Sequence, residues 1–455
     1  MSEKRGAWAS NIGFILSAAG SAIGLGNIWK FPGKVGANGG GTFIVIYLAI
    51  IALIGFSLMI AEISLGRHAQ SNSISAFKKI NKKWSFVGVL GILSAFIILS
   101  YYSVVGGWVM KYIATYLTGA NFGGNTADYF VGFITTGVEP LIWHALFMII
   151  TVSVVTKGVS AGIEKVSKVL MPLLFVILIA ITLRSVTLPG AEQGLDFLLQ
   201  FHVSEITPSL IIAALGQAFF SLSLGMAIMI TYGSYVSKTD SLPRSVSLIA
   251  ILDTFIALLA GFAIVCAVFA TDPSLIGSGG GGFAFISLPN VFASMPAGNF
   301  FGLLFFVLLF FAAFTSAMSI LEGLVSCVTE LLKISRKKAT ISLGICMYVL
   351  GCGYSLSQGA VDIKLPWFDF ANGLRWDTMG NVMEYTTDNL LIPMTALFVC
   401  IFVGWVWGTK EAVREIKVGS NFPIEKAWEF SIKYICPIAI AVILFTTLVL
   451  GISIS

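Results

Sequence analysis

Stretches of about 20 mainly apolar residues recur along this sequence, and each has the length that a helix needs to cross a bilayer. Apolar side chains make up 57% of the 455 residues and charged side chains only 11%, whereas soluble domains carry about 25% charged residues. The pattern predicts an all-α transmembrane protein of about eleven helices rather than a soluble domain. The predicted spans are residues 11–36, 41–69, 88–118, 138–156, 163–184, 208–236, 242–270, 299–332, 337–354, 383–407 and 428–452.

The basic residues predict how the chain lies in the membrane. Most of the 27 lysines and arginines fall in segments that share one side when the spans alternate, such as Lys78–Lys83 and Lys333–Lys338. Cytoplasmic loops of membrane proteins carry an excess of lysine and arginine. We therefore expect a multi-pass cell-membrane protein with the N-terminus in the cytoplasm. The odd span count then places the C-terminus outside. The clustering of these residues in short loops explains the net charge of +5 without a nucleic-acid partner.

Two spans are interrupted by glycines and small polar residues near their middle. In lipid, a backbone group freed by such a break costs several kcal/mol unless protein, an ion or a ligand satisfies it. Small residues also let membrane helices pack closely, which is the simpler explanation for either break alone. Because the breaks fall in the first and sixth spans, the sequence predicts two inverted five-span halves with a binding site between them. The broken segments are residues 18–27 and 216–225; the halves are about 11–184 and 208–407, and one extra span covers about 428–452.

Several polar residues are predicted to lie inside spans. Asp253 has no basic residue near it in sequence, so it would bind a cation or be protonated and bonded to the backbone. Glu62 could be a structural carboxyl, a proton carrier or a partner of Gln217, and the role of Glu322 is open. The hydroxyls of Thr315 and Ser316 are weak evidence for a binding site, because hydroxyls in membrane helices commonly donate to the carbonyl one turn earlier.

The motifs in spans 1 and 6 resemble the neurotransmitter:sodium symporter family, in particular its bacterial eleven-span amino-acid transporters. The resemblance runs in order through spans 1 to 10. It rests on the stretch Trp8 to Phe31 with Gly24-Leu25-Gly26-Asn27 and Phe31-Pro32, on Asn38-Gly39-Gly40-Gly41, and on Gly216-Gln217-Ala218-Phe219-Phe220-Ser221-Leu222-Ser223-Leu224-Gly225.

The resemblance implies sodium-coupled symport of hydrophobic or aromatic L-amino acids into the cell by alternating access, with two sodium ions. The first ion would be held by the Ala22 carbonyl, the side chains of Asn27 and Asp253, the Ser221 region and the substrate carboxylate. The second would be held by carbonyls of Gly20, Ile23 and Ala312 and hydroxyls of Thr315 and Ser316. Half-helix N-termini favour a carboxylate and freed carbonyls favour cations, which agrees with this arrangement.

The resemblance also implies a substrate pocket. The substrate carboxylate would meet the amides of Leu25 and Gly26 and the Tyr102 hydroxyl. Its ammonium group would meet carbonyls of Ala22, Phe220, Ser221 and Ser223. The side-chain pocket would be lined by Ile98, Tyr102, Phe220, Ser223, Met226 and Ile320. The flexible Met226 thioether stands where many relatives have Phe, and it can repack around different shapes.

Gates on both sides of the pocket follow from the same resemblance. Tyr102 and Phe220 would form a thin outer lid, and Lys30 would face Glu384, with Asp369 and Asp377 as alternatives. On the cytoplasmic side, Arg5 and Trp8 would close onto Glu330, near Ser234 and Tyr235. By itself, Arg5 is explained equally well as a cytoplasmic positive charge.

Two positions depart from the family pattern. Lys30 stands where the family usually has Arg, so its ion pair would be looser. Asp253 stands where animal relatives, which use chloride, have Asn. Its fixed negative charge predicts that transport needs no chloride.

Other classes of function are weaker readings of this sequence. It contains no HExxH or GxSxG motif, so we expect no enzyme activity, and it shows no repeated pore loop of the kind found in channels. A non-transporting amino-acid sensor on the same scaffold remains an alternative, because turnover leaves no signature in a sequence.

Overall fold

The computed structural model describes residues 6–119, 122, 124–276, 283–369 and 373–451, and this part of the chain is mainly helical. Eight helices there are long and apolar enough to cross a bilayer: span 2, Gly41–Ala69; span 3, Lys82–Leu117; span 5, Val159–Val186; span 7, Leu242–Thr271; span 8, Gly298–Leu332; span 9, Arg336–Leu356; span 10, Met379–Ile416; and span 11, Glu425–Val449.

The remaining spans are bent or broken. Span 1 consists of Asn11–Ala22 and Gly26–Ala37, which meet at 54°. Span 4, Glu139–Val155, follows the helix Thr126–Ile134 at an angle of 77°. Span 6 consists of Pro208–Ser221 and Ile228–Gly233. By length and composition, the described residues contain eight helices that could cross a bilayer, or ten when each bent pair counts as one span. Span 6 is assigned in addition from its two short helices, and the predicted breaks in spans 1 and 6 are present.

Shorter elements connect the spans. They are the helices Ser73–Ile80, Ala191–Leu199, Val203–Glu205, Pro273–Leu275 and Phe283–Ser294, and the strands β1, Lys364–Asp369, and β2, Gly373–Thr378. The two strands pair antiparallel, with Trp367 opposite Arg375. This hairpin is an addition to the predicted all-α fold. Hydropathy did not reveal the hairpin, because its two strands are short and lie in the connection between spans 9 and 10. The Trp367 ring of β1 packs 4.3 Å from the Tyr385 ring of span 10.

Large apolar side chains on the outer surface show where lipid surrounds the protein. Ile149, Val176, Val349 and Ile438 are all more than 60% exposed, and they lie on four different spans. Soluble monomers rarely expose extended apolar surface, whereas a bilayer covers it.

Spans 2 and 6 approach each other at paired glycines. A Cβ added to Gly66 would lie 1.9 Å from the Ile230 carbonyl oxygen, and one added to Gly233 would lie 2.3 Å from the Ile63 carbonyl oxygen. Both positions therefore require glycine, as is usual where membrane helices pack closely. This contact fixes the second half of span 6 against span 2.

The end of the molecule that contains Trp8 is called the N-terminal face below, and the other end the opposite face. A buried ion cluster ties several elements together at the N-terminal face. Arg67 at the end of span 2 is fully buried and donates from Nε to Glu415 of span 10 at 2.7 Å. Lys238 also binds Glu415, at 2.6 Å, and Arg67 donates to the Asp240 carbonyl at 2.8 Å.

On the opposite face, an aromatic cluster around Phe285 covers the ends of spans 1, 3 and 8. The Phe285 ring lies 5.6 Å from Trp29 and 5.1 Å from Phe130, and the Tyr112 hydroxyl donates to the Phe285 carbonyl at 2.8 Å. The segment Phe283–Ser294 thus forms part of a folded cap.

We expect Glu415→Gln to lower the free energy of unfolding by about 3 kcal/mol or more, because it leaves the Arg67 guanidinium buried without its carboxylate. The measurement is the thermal unfolding midpoint of the purified protein in detergent. Glu411→Gln, on the same helix, removes only an exposed pair with Arg414 and should cost about 1 kcal/mol or less. Equal losses in the two variants would contradict a structural role of the buried cluster.

Candidate functional site

The two helix breaks lie against each other at mid-depth. In span 1, Ile23 turns the backbone into an extended conformation with ψ 94°. In span 6, Ser223 and Ala227 have positive φ angles of 52° and 59°, which cost energy for residues other than glycine. The Ser223 hydroxyl donates to the Ser21 carbonyl at 2.9 Å and so joins the two breaks.

The structure brings together three of the side chains that sequence analysis assigned to the first ion site. The Asn27 amide nitrogen donates to Asp253 Oδ1 at 2.8 Å and to the Ser221 hydroxyl at 3.0 Å. Ser221 in turn donates to Asp253 Oδ2 at 2.7 Å. Sequence analysis missed Tyr47, whose hydroxyl donates to Ser221 at 3.3 Å. All four residues are buried.

The chemistry of this cluster suits an alkali cation. The Asp253 carboxylate accepts hydrogen bonds from two neutral groups, the Asn27 amide and the Ser221 hydroxyl, and a buried carboxylate is costly unless a cation balances it. Among the described residues, no three His, Cys, Asp or Glu side chains converge as a metal site, so ligation would combine the single Asp253 carboxylate with carbonyl, hydroxyl and amide oxygens. Asn27 now directs its amide nitrogen to Asp253, and it would have to present Oδ1 to ligate an ion.

The residues expected at the second ion site also lie together. The Ser316 hydroxyl lies 3.3 Å from the Gly20 carbonyl oxygen and 3.4 Å from that of Ile23. The Thr315 hydroxyl lies 3.1 Å from the Ala312 carbonyl oxygen. A Cβ on Gly20 would come within 3.1 Å of Thr315, so span 8 packs directly on the break of span 1. Gly20, Ile23, Thr315 and Ser316 therefore meet at this contact, and the Ala312 carbonyl lies beside Thr315 within span 8.

A small cavity lies between the breaks and spans 3 and 8. It contains all six residues expected to line the side-chain pocket. Its walls are Ser21, Ala22, Gly24, Gly26, Ile98, Tyr102, Phe220, Ser223, Met226, Ser316 and Ile320.

One end of this cavity is polar. The Leu25 amide donates to the Tyr102 hydroxyl at 3.2 Å, so two groups expected to meet the substrate carboxylate are adjacent. The Phe220 ring covers Gly26 so closely that a Cβ there would lie 2.5 Å from it. Gly26 thus lets the aromatic lid reach the backbone of span 1. The other end, at Ile98, Met226 and Ile320, is apolar.

The predicted pairing of Lys30 with Glu384 is wrong. Lys30 instead pairs with Asp388 at 3.4 Å and lies 4.2 Å from the centre of the Phe220 ring. Glu384 lies one turn earlier on span 10 and accepts the Tyr354 hydroxyl at 2.7 Å. Sequence analysis did not consider Asp388, which lies four residues after Glu384 on the same helix face, and only the register of span 10 brings it to Lys30. The alternatives Asp369 and Asp377 lie in the hairpin strands.

On the N-terminal face, Trp8 closes on the end of span 6. Its indole nitrogen donates to the Tyr232 carbonyl at 3.2 Å, and its ring lies 6.2 Å from that of Tyr235. Glu330 accepts the side-chain amide of Asn72 at 2.7 Å. Arg5, the expected partner of Glu330, lies outside the described residues.

Two carboxylates whose roles the sequence left open now have partners. Glu62 accepts the Gly225 amide at 2.9 Å and so satisfies a backbone group freed by the break in span 6. It is not the partner of Gln217, which donates to the Gly26 carbonyl at 3.1 Å in the other break. Glu322 accepts the Tyr235 hydroxyl at 2.8 Å and pairs with Arg336.

Comparison with known proteins identifies the family. A model of the sodium:neurotransmitter symporter family matches residues 5–123 and 135–453. An uncharacterized sodium-dependent transporter, YhdH of Bacillus subtilis, is 39% identical, with 97% of this chain and 98% of YhdH covered. The taurine transporter of Rattus norvegicus, sodium- and chloride-dependent, is 25% identical, with 89% of this chain and 72% of that protein covered.

Solved structures agree with this assignment. A crystal structure of MhsT in complex with L-phenylalanine matches with a TM-score of 0.88 and 41% identity, covering 97% of this chain and 99% of that one. The residues that the family model matches include both helix breaks and the polar clusters around them. This chain is therefore a multi-pass membrane protein that belongs to the sodium:neurotransmitter symporter family of sodium-dependent transporters.

Proposed function

We propose that the protein carries hydrophobic and aromatic L-amino acids into the cell together with two sodium ions, and that it needs no chloride. The observation that carries this proposal is that the cavity and both ion clusters share walls. Ser316 belongs to the cavity and to the second cluster. Phe220 lines the cavity next to Ser221 of the first cluster. An ion and a substrate bound there would be in direct contact.

This contact gives a physical basis for coupling. A substrate carboxylate at Tyr102 and Leu25 would add a negative oxygen to the first ion site, while the ion would balance that carboxylate. Each would then raise the affinity of the other by the same factor, as any coupling free energy requires. The substrate ammonium group would bind the carbonyls freed by the break in span 6.

The substrate class follows from the apolar end of the cavity and from one relative. Ile98, Met226 and Ile320 offer no charged or strongly polar partner to a substrate side chain. MhsT, 41% identical, has been crystallised with L-phenylalanine. Hydrophobic and aromatic side chains would fit this end, because the Met226 thioether can adapt to their shapes.

Alternating access would use the two closed ends of the site. Separation of Lys30 from Asp388 and movement of the Phe220 ring would open the opposite face. Loss of the Trp8 contacts with Tyr232 and Tyr235 would open the N-terminal face. The basic loops orient the N-terminal face to the cytoplasm and the C-terminus to the outside. The moving and supporting parts would derive from the repeats at about 11–184 and 208–407, with 428–452 as an extra span.

Chloride independence rests on Asp253. This residue supplies a fixed negative charge in the first ion cluster, and Ala257, one turn further on, offers no group that could bind an anion. The taurine transporters, 25% identical, are named sodium- and chloride-dependent. The charge that chloride would bring is already present here.

In proteoliposomes with an inward sodium gradient, we expect accumulation of labelled L-phenylalanine or L-leucine that survives replacement of chloride by gluconate. Asp253→Asn should reduce this accumulation by at least about tenfold, since the ion site loses its charge. Asp272→Asn, an exposed change at the end of the same helix, should have no effect. A strict chloride requirement of the unchanged protein would refute the charge argument, and sodium-dependent binding without accumulation would indicate a sensor.

Removal of the hydroxyl in Ser316→Ala should raise the sodium concentration for half-maximal uptake by about five- to tenfold, because the second ion loses a ligand. Ser326→Ala serves as the control: the same change, on the same helix, at a buried hydroxyl outside the site. The sodium dependence of uptake is measured for both. If the two curves coincide with that of the unchanged protein, Ser316 does not ligate sodium.

Met226→Phe should shift substrate preference toward smaller side chains. The rigid ring would shorten the apolar end of the cavity, so uptake of tryptophan should fall relative to valine by about tenfold. Competition of unlabelled amino acids against labelled leucine measures the ratio. An unchanged ratio would show that the substrate side chain lies elsewhere.

A further inference from the structure

Two apolar grooves flank the part of span 4 that reaches the N-terminal face. The first, between spans 4 and 9, has a volume of about 1230 Å³ and is bordered by Ile149, Ile341 and Ile345. The second, between spans 4 and 5, has a volume of about 820 Å³ and is bordered by Val169 and Leu170.

The grooves share a basic corner. Lys157 borders both of them, and Lys165 borders the second. Both lysines are exposed, and neither forms an ion pair with a carboxylate in the described part of the chain. Lys168 on the same helix differs, because it is paired with Glu164 at 2.6 Å. Two free cations therefore stand at the point where two lipid-facing grooves meet.

We propose that this corner binds an anionic phospholipid, with its phosphate between Lys157 and Lys165 and one acyl chain in each groove. Apolar walls fit acyl chains, and each lysine near the membrane surface attracts an anionic headgroup. A zwitterionic lipid would gain the groove contacts without the net charge. This proposal rests on the structure alone and does not depend on the transported substrate.

The bound lipid would act on the start of span 1. The segment Val159–Glu164 lies between the two lysines, and Glu164 accepts the Ala9 amide at 2.7 Å and the Ser10 hydroxyl at 2.9 Å. Gly13 allows this close approach, since a Cβ there would overlap the Glu164 side chain. A lipid that fixes Lys157 and Lys165 therefore stabilises the contact that holds span 1 closed at the N-terminal face.

The test uses the full-length protein in detergent with added lipid. Phosphatidylglycerol should raise the thermal unfolding midpoint by roughly 2–4 °C more than phosphatidylcholine with the same acyl chains. The difference should disappear in Lys157→Ala/Lys165→Ala and persist in Lys410→Ala, an exposed lysine that borders neither groove. Glycerol phosphate without acyl chains should give no shift.

Groove-filling variants separate the lipid site from a simple charge effect. Ser153 and Ala161 border the first and second groove, so Ser153→Trp and Ala161→Trp should each weaken the phosphatidylglycerol shift while keeping both lysines. Native mass spectrometry should show fewer retained anionic lipids in these variants and in the double lysine variant. Equal shifts with both lipids, a shift that survives in all variants, or a full shift with glycerol phosphate would overturn the proposal.

The effect on span 1 has its own readout. Hydrogen exchange should slow in residues 8–20 when phosphatidylglycerol is added to the unchanged protein, and this protection should be lost in the double lysine variant. Lipid binding without any change in exchange there would refute the link to span 1.

Discussion

The backbone groups released where spans 1 and 6 stop being helical are the constraint on which the rest of this structure depends. No water is available at that depth, so each group must find another partner or bind a ligand. The protein meets part of this need with side chains from other spans. Glu62 accepts the Gly225 amide, Gln217 donates to the Gly26 carbonyl, and Ser316 donates to carbonyls of span 1. Residues of both breaks, among them Ala22 and Ser223, line the cavity.

These partners explain why the surrounding spans pack as they do. Span 2 has to come close enough to place Glu62 at the break, which requires the paired glycines Gly66 and Gly233. Span 8 has to bring Ser316 to the backbone of span 1, where a Cβ on Gly24 would lie only 2.9 Å from the Ser316 hydroxyl. The site is therefore built by close helix contacts, and the glycines that permit them are as important to it as the polar side chains.

The two faces close the site by different kinds of contact. On the opposite face, one partly exposed ion pair, Lys30 with Asp388, lies over the Phe220 ring. The N-terminal face is held by the aromatic contacts of Trp8 and by the ion cluster around Arg67, which is itself fully buried. Separating a buried ion pair leaves an uncompensated charge in the interior, which is costly. Opening this face would therefore require coordinated movement of several elements. A lipid at Lys157 and Lys165 would stabilise one of those elements, the start of span 1, through its contact with Glu164.

The sequence by itself predicted a helical membrane protein with breaks in its first and sixth spans, and it named polar residues that the structure brings together around those breaks. Hydropathy and glycine patterns report directly on what a bilayer permits, and the motifs around Asn27 and Ser221 are long enough to identify the family. It did not determine which of two acids on one face of span 10 meets Lys30, nor the partners of Glu62 and Glu322. It also missed the β1–β2 hairpin. These features depend on helix register and on distances between residues far apart in the chain, such as Lys30 and Asp388, so only the tertiary structure could decide them.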